Sequence, residues 1–309
     1  MRVKSPLTGS ANVELISSTS VSEINKNYKK ILPQIDPSYI FGQLENIEIY
    51  RCNDTGYEFY WPLHIFGDES YYDKLGKLPW YYSAWKWEHE SAADYIEDGS
   101  KVLEVGAAKG DFLKRIKNDK NANVLGLELN PNVEEYSKLN GVEILNETIE
   151  NFSKNHKNEF DVVCSFQVLE HVSHVNSFIQ SMIDCLKPGG TLIISVPNND
   201  TFLSKNRLPS KILNMPPHHL GLWKESSLIN LQNVFGLTFI GKSLEPIQPA
   251  LYEMYIMHKF YSFFKSDLVV KVLWKMGVTN LFKSILLKNK ESIIGHSINV
   301  YFTKKQLKR

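Results

Sequence analysis

The sequence predicts an α/β protein built on a Rossmann-like, doubly wound sheet, and three features predict it. Residues 102–111, Val-Leu-Glu-Val-Gly-Ala-Ala-Lys-Gly-Asp, are a short apolar run that enters a small-residue turn before Phe112 and Leu113 open a helical pattern. Asn123-Val-Leu-Gly-Leu-Glu128 repeats the plan, a second apolar run that ends in an acid. The runs after Glu159 and from Thr191 to Val196 extend it. Parallel strands buried on both faces read as such near-continuous apolar runs, and ligands in these folds sit beyond the carboxyl ends of the strands.

The spacing of the first turn selects the ligand class. A dinucleotide fingerprint needs glycine at 106, 108 and 111, but Ala108 and Asp111 stand at two of those places. Read as acidic-x-Gly-x-small-x-Gly, with Glu104, Gly106, Ala108 and Gly110, the turn resembles the first motif of class I S-adenosylmethionine (SAM) methyltransferases. Glu128, the phrase Cys164-Ser-Phe-Gln-Val-Leu-Glu-His-Val172 and Lys187-Pro-Gly-Gly190 follow in that family's order. The resemblance implies a mostly parallel sheet of seven strands with the last antiparallel, and SAM as cofactor. It places Glu104 and the backbone of Gly106, Ala107 and Gly110 at the methionine part and Glu128 at the ribose. Thr148 or Ile149 borders the adenine, and Phe166 and Gln167 line the methyl-donor side.

The remaining elements follow in chain order. Residues 1–78 are Ser/Thr/Asn-rich, then aromatic and extended from Tyr39 to Tyr72, with a turn at Asn53–Gly56, and read as a small β-rich module. An aromatic segment, Pro79–Glu88, leads into the main domain, 79–309. A helix over Phe112–Asn118, a third strand at Val142–Leu145, a sixth at Leu237–Leu244 and a seventh at Ser297–Thr303 complete it. A tight hairpin normally joins the last two strands, so residues 250–292 are an insertion, expected as a helical pair. Over 250–290 its seven lysines face only Glu253 and Asp267, a net +5. Such a pair can lie on a membrane surface, roof the acceptor site, meet a second subunit, or pack on its own sheet.

Ile49–Tyr60 resembles the zinc-ribbon-like module that precedes methyltransferase domains in a bacterial group encoded with glycan genes. Thr55 stands where the second cysteine of the Cys-x-x-Cys-Gly knuckle is expected, and one thiolate cannot hold tetrahedral zinc, so no metal is expected there. The chain has 309 residues, 43% hydrophobic, with a formal charge of +1, which argues against broad nucleic-acid binding. Three widely spaced cysteines and no apolar leader or membrane-length run lead us to expect a reduced, cytoplasmic protein. Oligomeric state is left open.

Methyl transfer to a hydroxyl needs a group that accepts a proton. His171, at the end of the fourth strand, and His218 and His219, on a loop after the fifth, are the candidates. Ubiquinone-pathway and small-RNA 2′-O-methyltransferases carry Glu-x-x-Glu-His at this place and bind a divalent ion with it. Here Gln167-x-x-Glu170-His171 replaces the first carboxylate by a neutral amide, so metal-independent transfer is expected. The leading acceptor is a hydroxyl of a sugar or glycan intermediate, from the resemblance to the glycan-type group. The alternatives are a quinone, lipid or other small molecule, or a non-catalytic interaction module. Acids retained at both strand ends, Glu104 and Glu128, argue against the last.

Overall fold

The computed structural model describes residues 2–78, 81, 84–205 and 209–306. Pro79, Trp80, Tyr82 and Ser83 of the expected aromatic segment, and with them the expected boundary at 78/79, lie outside that description.

Two sheets organise the chain. The first is antiparallel, formed by β1 (Val13–Ser20), β2 (Asn46–Cys52) and β3 (Glu58–Trp61). The second contains β4 (Lys101–Val105), β5 (Asn123–Leu127), β6 (Glu143–Leu145), β7 (Phe160–Phe166) and β8 (Leu186–Pro197). A two-residue strand, β9 (Gly221–Leu222), returns to the first sheet beside β3, and β10 (Thr238–Pro246) and β11 (Ile294–Thr303) finish the second. The large sheet therefore has seven strands, ordered β10-β11-β8-β7-β4-β5-β6, and β11 runs antiparallel between β10 and β8. Strands β4 to β8 pair in parallel, so the expected doubly wound fold with an antiparallel last strand is what forms.

Alternation along the strands builds two cores. Leu103, Val163, Leu192 and Ile194 pack with Phe178, Ile179, Met182 and Ile183 of the helix Val175–Cys185 on one face. Val102, Val162, Cys164 and Ile193 pack with Phe112, Leu113 and Ile116 of the helix Asp111–Lys120 on the other. Each such side chain contributes about 1.5–3 kcal/mol by leaving water. Because both faces are covered, the ends of β4, β5 and β7 are fixed within one rigid layer, and the residues that follow them inherit that placement.

The N-terminal module is less autonomous than its sequence implies. Its core of Ile24, Tyr28, Phe41, Ile65 and Leu75 also takes in Ile212, Leu220 and Leu222. Tyr57 stacks on Trp223 at 4.1 Å between ring centroids, and β9 extends its sheet. The helix Val21–Ile31, capped by Ser20, makes the module mixed α/β rather than β-rich alone. Around Cys52 the knuckle is a hydroxyl knot. Burial pushes the thiol up, but hydrogen bonds from Thr55, Ser5 and Thr8 outweigh it and bring the thiol below its ordinary value.

The insertion is three helices, not the expected pair: Tyr252–Phe264, Asp267–Lys275 and Val278–Leu286. Gly277, at φ +73°, divides the last two. They share a small core of Ile256, Phe260 and Val270.

Candidate active site

At the carboxyl edge of the large sheet lies one cleft of about 1170 Å³. Glu104, in β4, is paired with Gly126 of β5 and Cys164 of β7, which sets its carboxyl beneath the cleft floor. It is buried, and Oε2 has no hydrogen-bond partner. Burial raises its pKa well above the usual carboxylate value, and Glu128 and Asp111 push it the same way. A buried acid without a donor is costly unless a ligand brings one, and the cleft is where that ligand would stand.

The turn after β4 comes close to its neighbours. Gly106 has φ +82°, and a Cβ there would stand 2.3 Å from Val168 Cγ2. Ala108 also takes the left-handed conformation, at φ +46°, a region that favours glycine. Gly106, Ala107 and Ala108 all line the cleft. Gly110 is the exception among the expected cofactor residues, being absent from the lining. A Cβ on it would meet Val142 and Ile144 at 2.7 and 2.9 Å, so its role is close packing under the turn.

Glu128 follows β5, the strand beside β4, and lines the same cleft. Its Oε2 accepts from the Ala108 N–H at 2.9 Å, and Oε1 accepts from Leu129 and Asn130 N–H at 2.8 and 3.0 Å. The carboxylate ties the two turns together and keeps part of its acceptor capacity for a ligand. Thr148 caps the short helix Ile149–Phe152, and both Thr148 and Ile149 line the cleft, although Ile149 is also a core residue. Phe166 packs edge-on against His89 and Phe112, while Gln167, at φ +56°, donates its amide to Ser195 Oγ at 3.1 Å.

The three expected imidazoles converge at the other end. Ring nitrogens of His171, His218 and His219 lie within 4.8 Å of one another, all on the cleft wall. Burial lowers the pKa of His171 to about 4, although backbone hydrogen bonds at His218 and Gln167 oppose it. Burial holds His218 and His219 well below 6.5, helped by the neighbouring imidazoles. All three are therefore neutral near pH 7. Acceptors fix the tautomers: His218 Nδ1–H donates to Leu213 O at 2.8 Å, and His219 Nδ1–H donates to Asn214 Oδ1 at 3.0 Å. His171 Nδ1 lies against His218 O. The Nε2 atoms of His171 and His219 lie 3.8 and 3.9 Å from Glu170 Oε1.

Sequence reasoning missed the groups that hold this cluster. Tyr72 OH lies 3.0 Å from His171 Nδ1, and Tyr81 OH lies 3.0 Å from His218 Nε2, both from the N-terminal side of the chain. Lys86, His89 and His296 also line the cleft. No local signal marks them: Lys86 and His89 sit on the seven-residue helix Trp87–Ala93 and its cap, and His296 at the start of β11. Glu170 is buried, its Oε2 has no partner, and burial pushes its pKa up to about 8. With His171 and His219 it forms a set of donors that can hold either a proton or a divalent cation. His218 Nε2 is already engaged by Tyr81 OH, and the Gln167 amide is oriented by its Nε2 bond to Ser195 Oγ.

Comparison with known proteins identifies the family. A family model described as a methyltransferase domain matches residues 80–241, more than half of the chain, and leaves the N-terminal module outside. A ubiquinone biosynthesis O-methyltransferase of Shewanella pealeana is 32% identical over 168 residues, 48% of this chain and 69% of that protein. The mitochondrial protein of the same description from Dictyostelium discoideum is 38% identical over 106 residues, 34% of this chain and only 30% of its own length. Among solved structures, a SAM-dependent methyltransferase from Archaeoglobus fulgidus superposes with a TM-score of 0.49 at 14% identity, over 70% of this chain and 92% of that one. From the matched domain and the Shewanella relative, the chain belongs to the SAM-dependent methyltransferase family.

Proposed function

We propose that this protein methylates a hydroxyl oxygen of a small acceptor, with the imidazole cluster taking the proton. The observation that carries the reading is the presence, in one cleft, of a partnerless buried acid at one end and neutral histidines at the other. SAM supplies a methyl group already activated on a sulfonium. Its ammonium fits the unpartnered Glu104 carboxyl, and its ribose fits the remaining capacity of Glu128. Gly106, Ala107 and Ala108 give the backbone approach, Thr148 and Ile149 border the base, and Phe166 and Gln167 face the donor side. What remains for the chain is alignment, exclusion of water and removal of one proton. An imidazole Nε2 lone pair of His171 or His219 accepts that proton, and the Nδ1 partners hold the ring in the tautomer that can do so.

The acceptor class has two readings. The relatives named ubiquinone biosynthesis O-methyltransferases favour an aromatic or lipid-like hydroxyl. A sugar hydroxyl, the leading expectation from sequence, is favoured by the Asn198 amide on the cleft wall, while Asn199 and Asn214 are bonded to each other and to Pro197 O and His219. Incubation with isotopically labelled SAM and a panel of hydroxylated quinone precursors, lipid-linked glycans and nucleotide-sugars, read by mass spectrometry, tests both. Label on oxygen supports the proposal. Label found only on nitrogen or carbon overturns it.

A further inference from the structure

We propose that the outer face of the three-helix insertion docks on an anionic lipid bilayer, with the mouth of the cleft turned toward it. The helices Tyr252–Phe264, Asp267–Lys275 and Val278–Leu286 bury little among themselves beyond Ile256, Phe260 and Val270. Large apolar side chains face outward instead: Phe263, Leu268, Trp274, Met276, Leu281 and Ile285 are each more than half exposed. An apolar surface of this kind on a monomer marks an interaction site. On the second helix, Leu268 and Val272 stand one turn apart, with exposed Lys271 and Lys275 beside them. Leu281 and Ile285 repeat that spacing on the third helix, with exposed Lys283 between them in sequence. Apolar side chains bordered by lysines whose stems lie along them are the pattern of a helix at a lipid interface.

Charge decides between the occupants. The insertion carries +5 over residues 250–290 while the whole chain is +1, so the remainder carries −4. An anionic surface attracts the insertion and repels the net-negative remainder, which favours contact through the insertion. A second copy would set one +5 surface against another. No helix among the described residues is long and apolar enough to cross a membrane, so the contact is peripheral.

The docking face adjoins the site. Leu251 and Met254, at the start of the first insertion helix, line the cleft, and Phe202 packs against Tyr255 and His258 of the same helix. An acceptor with a lipid tail could therefore leave the tail in the bilayer and put its hydroxyl in the cleft.

The test uses the full chain and vesicles of phosphatidylcholine alone or mixed equally with phosphatidylglycerol, read by co-sedimentation at low and high salt. Binding needs no turnover, so the proposal stands or falls apart from the methyl-transfer reading. Binding to the anionic vesicles that falls with salt is expected. Lys271→Glu, Lys275→Glu and Lys283→Glu combined should weaken it by at least about a hundredfold, since each lysine near an anionic surface strengthens binding several-fold. The combination Leu268→Ser, Trp274→Ser, Leu281→Ser and Ile285→Ser should weaken it at least about tenfold. These side chains are exposed, and an unchanged melting temperature checks that the fold persists. Equal binding to neutral vesicles, absence of binding at low salt, or wild-type binding by both variants overturns the proposal. So does a dimer in sedimentation equilibrium that the serine variant dissolves.

Discussion

Replacing Glu128 by glutamine tests the assignment of the ribose site with the least change in shape. The carboxylate accepts three backbone N–H groups, from Ala108, Leu129 and Asn130. A carboxylate offers about four acceptor positions, so one remains clear and a second hydroxyl must share an oxygen with a backbone donor. Between one and two charge-assisted bonds to the ribose are therefore at stake. One such bond contributes roughly 1.5–3 kcal/mol, and each 1.4 kcal/mol is about tenfold. Glutamine keeps a single oxygen acceptor and turns an N–H₂ toward either the ribose or the turn. The affinity for SAM should fall by about 10- to 100-fold. Isothermal titration calorimetry with SAM measures this directly, and the product S-adenosylhomocysteine gives the same comparison without the sulfonium charge. Because the same carboxylate joins the two turns, the melting temperature of the unliganded variant must be recorded beside the affinity. An affinity within twofold of the parent would refute the assignment of β5 as the ribose-binding strand. A loss of affinity that merely tracks a collapsed melting temperature would assign Glu128 to the turn alone.

Other expectations follow from the same geometry. Ala108→Gly removes a left-handed alanine that costs about 1–2 kcal/mol, offset in part by the greater freedom of glycine when unfolded, so a net gain of up to about 1 kcal/mol in urea unfolding is expected, and a loss would show the turn is not strained. Turnover should persist within twofold after EDTA, given the neutral amide of Gln167 where a carboxylate would hold a hard cation; abolition by chelation with recovery on manganese or zinc would make Glu170, His171 and His219 metal ligands. Glu170, pushed up to about 8, keeps its proton when folded but loses it near pH 4.5 when unfolded, so it lowers stability progressively as pH rises from about 4.5 to 8. Glu170→Gln should therefore gain over the parent by up to about 1.4 kcal/mol per pH unit across that window, the buried histidines cancelling in the difference, and a gap independent of pH would remove the buried-acid reading. Replacing residues 250–292 with a short turn should leave SAM affinity within a few-fold but abolish transfer, since Leu251 and Met254 line the cleft while the proposed cofactor residues lie at or just beyond the ends of β4, β5, β6 and β7; full activity in that deletion would show that the acceptor needs no roof.

What the sequence disclosed, and what it concealed, follows from the range of the forces involved. Strands β4, β5, β7 and β8 were legible because burial on both faces demands an unbroken apolar run, and the acid at 104 or 128 interrupts that run only where the strand reaches the cleft. The candidate residues at those strand ends were legible with them. The histidines could be named one by one, but their meeting depends on Leu220 N–H bonding Glu170 O, a contact between segments fifty residues apart that no local pattern encodes. Tyr72 and Tyr81 reach the cluster from the N-terminal side by hydrogen bonds that only the tertiary packing sets up. The two residues of β9 are too few to show any period, so the dependence of the N-terminal sheet on the later chain stayed hidden. Ser5 and Thr8 were silent for a chemical reason. A search for ligands looks for sulfur and imidazole, and these positions carry hydroxyls that bond the Cys52 thiol. In the insertion, apolar periodicity announced helices but not their number, because Gly277 reads equally as a tolerated helical glycine or a break, and only its left-handed backbone decides. The outward apolar residues there looked like core in the sequence, since hydrophobicity marks what avoids water and not what covers it. That ambiguity is why the insertion, rather than the cofactor site, is where this protein's own chemistry is most open to experiment.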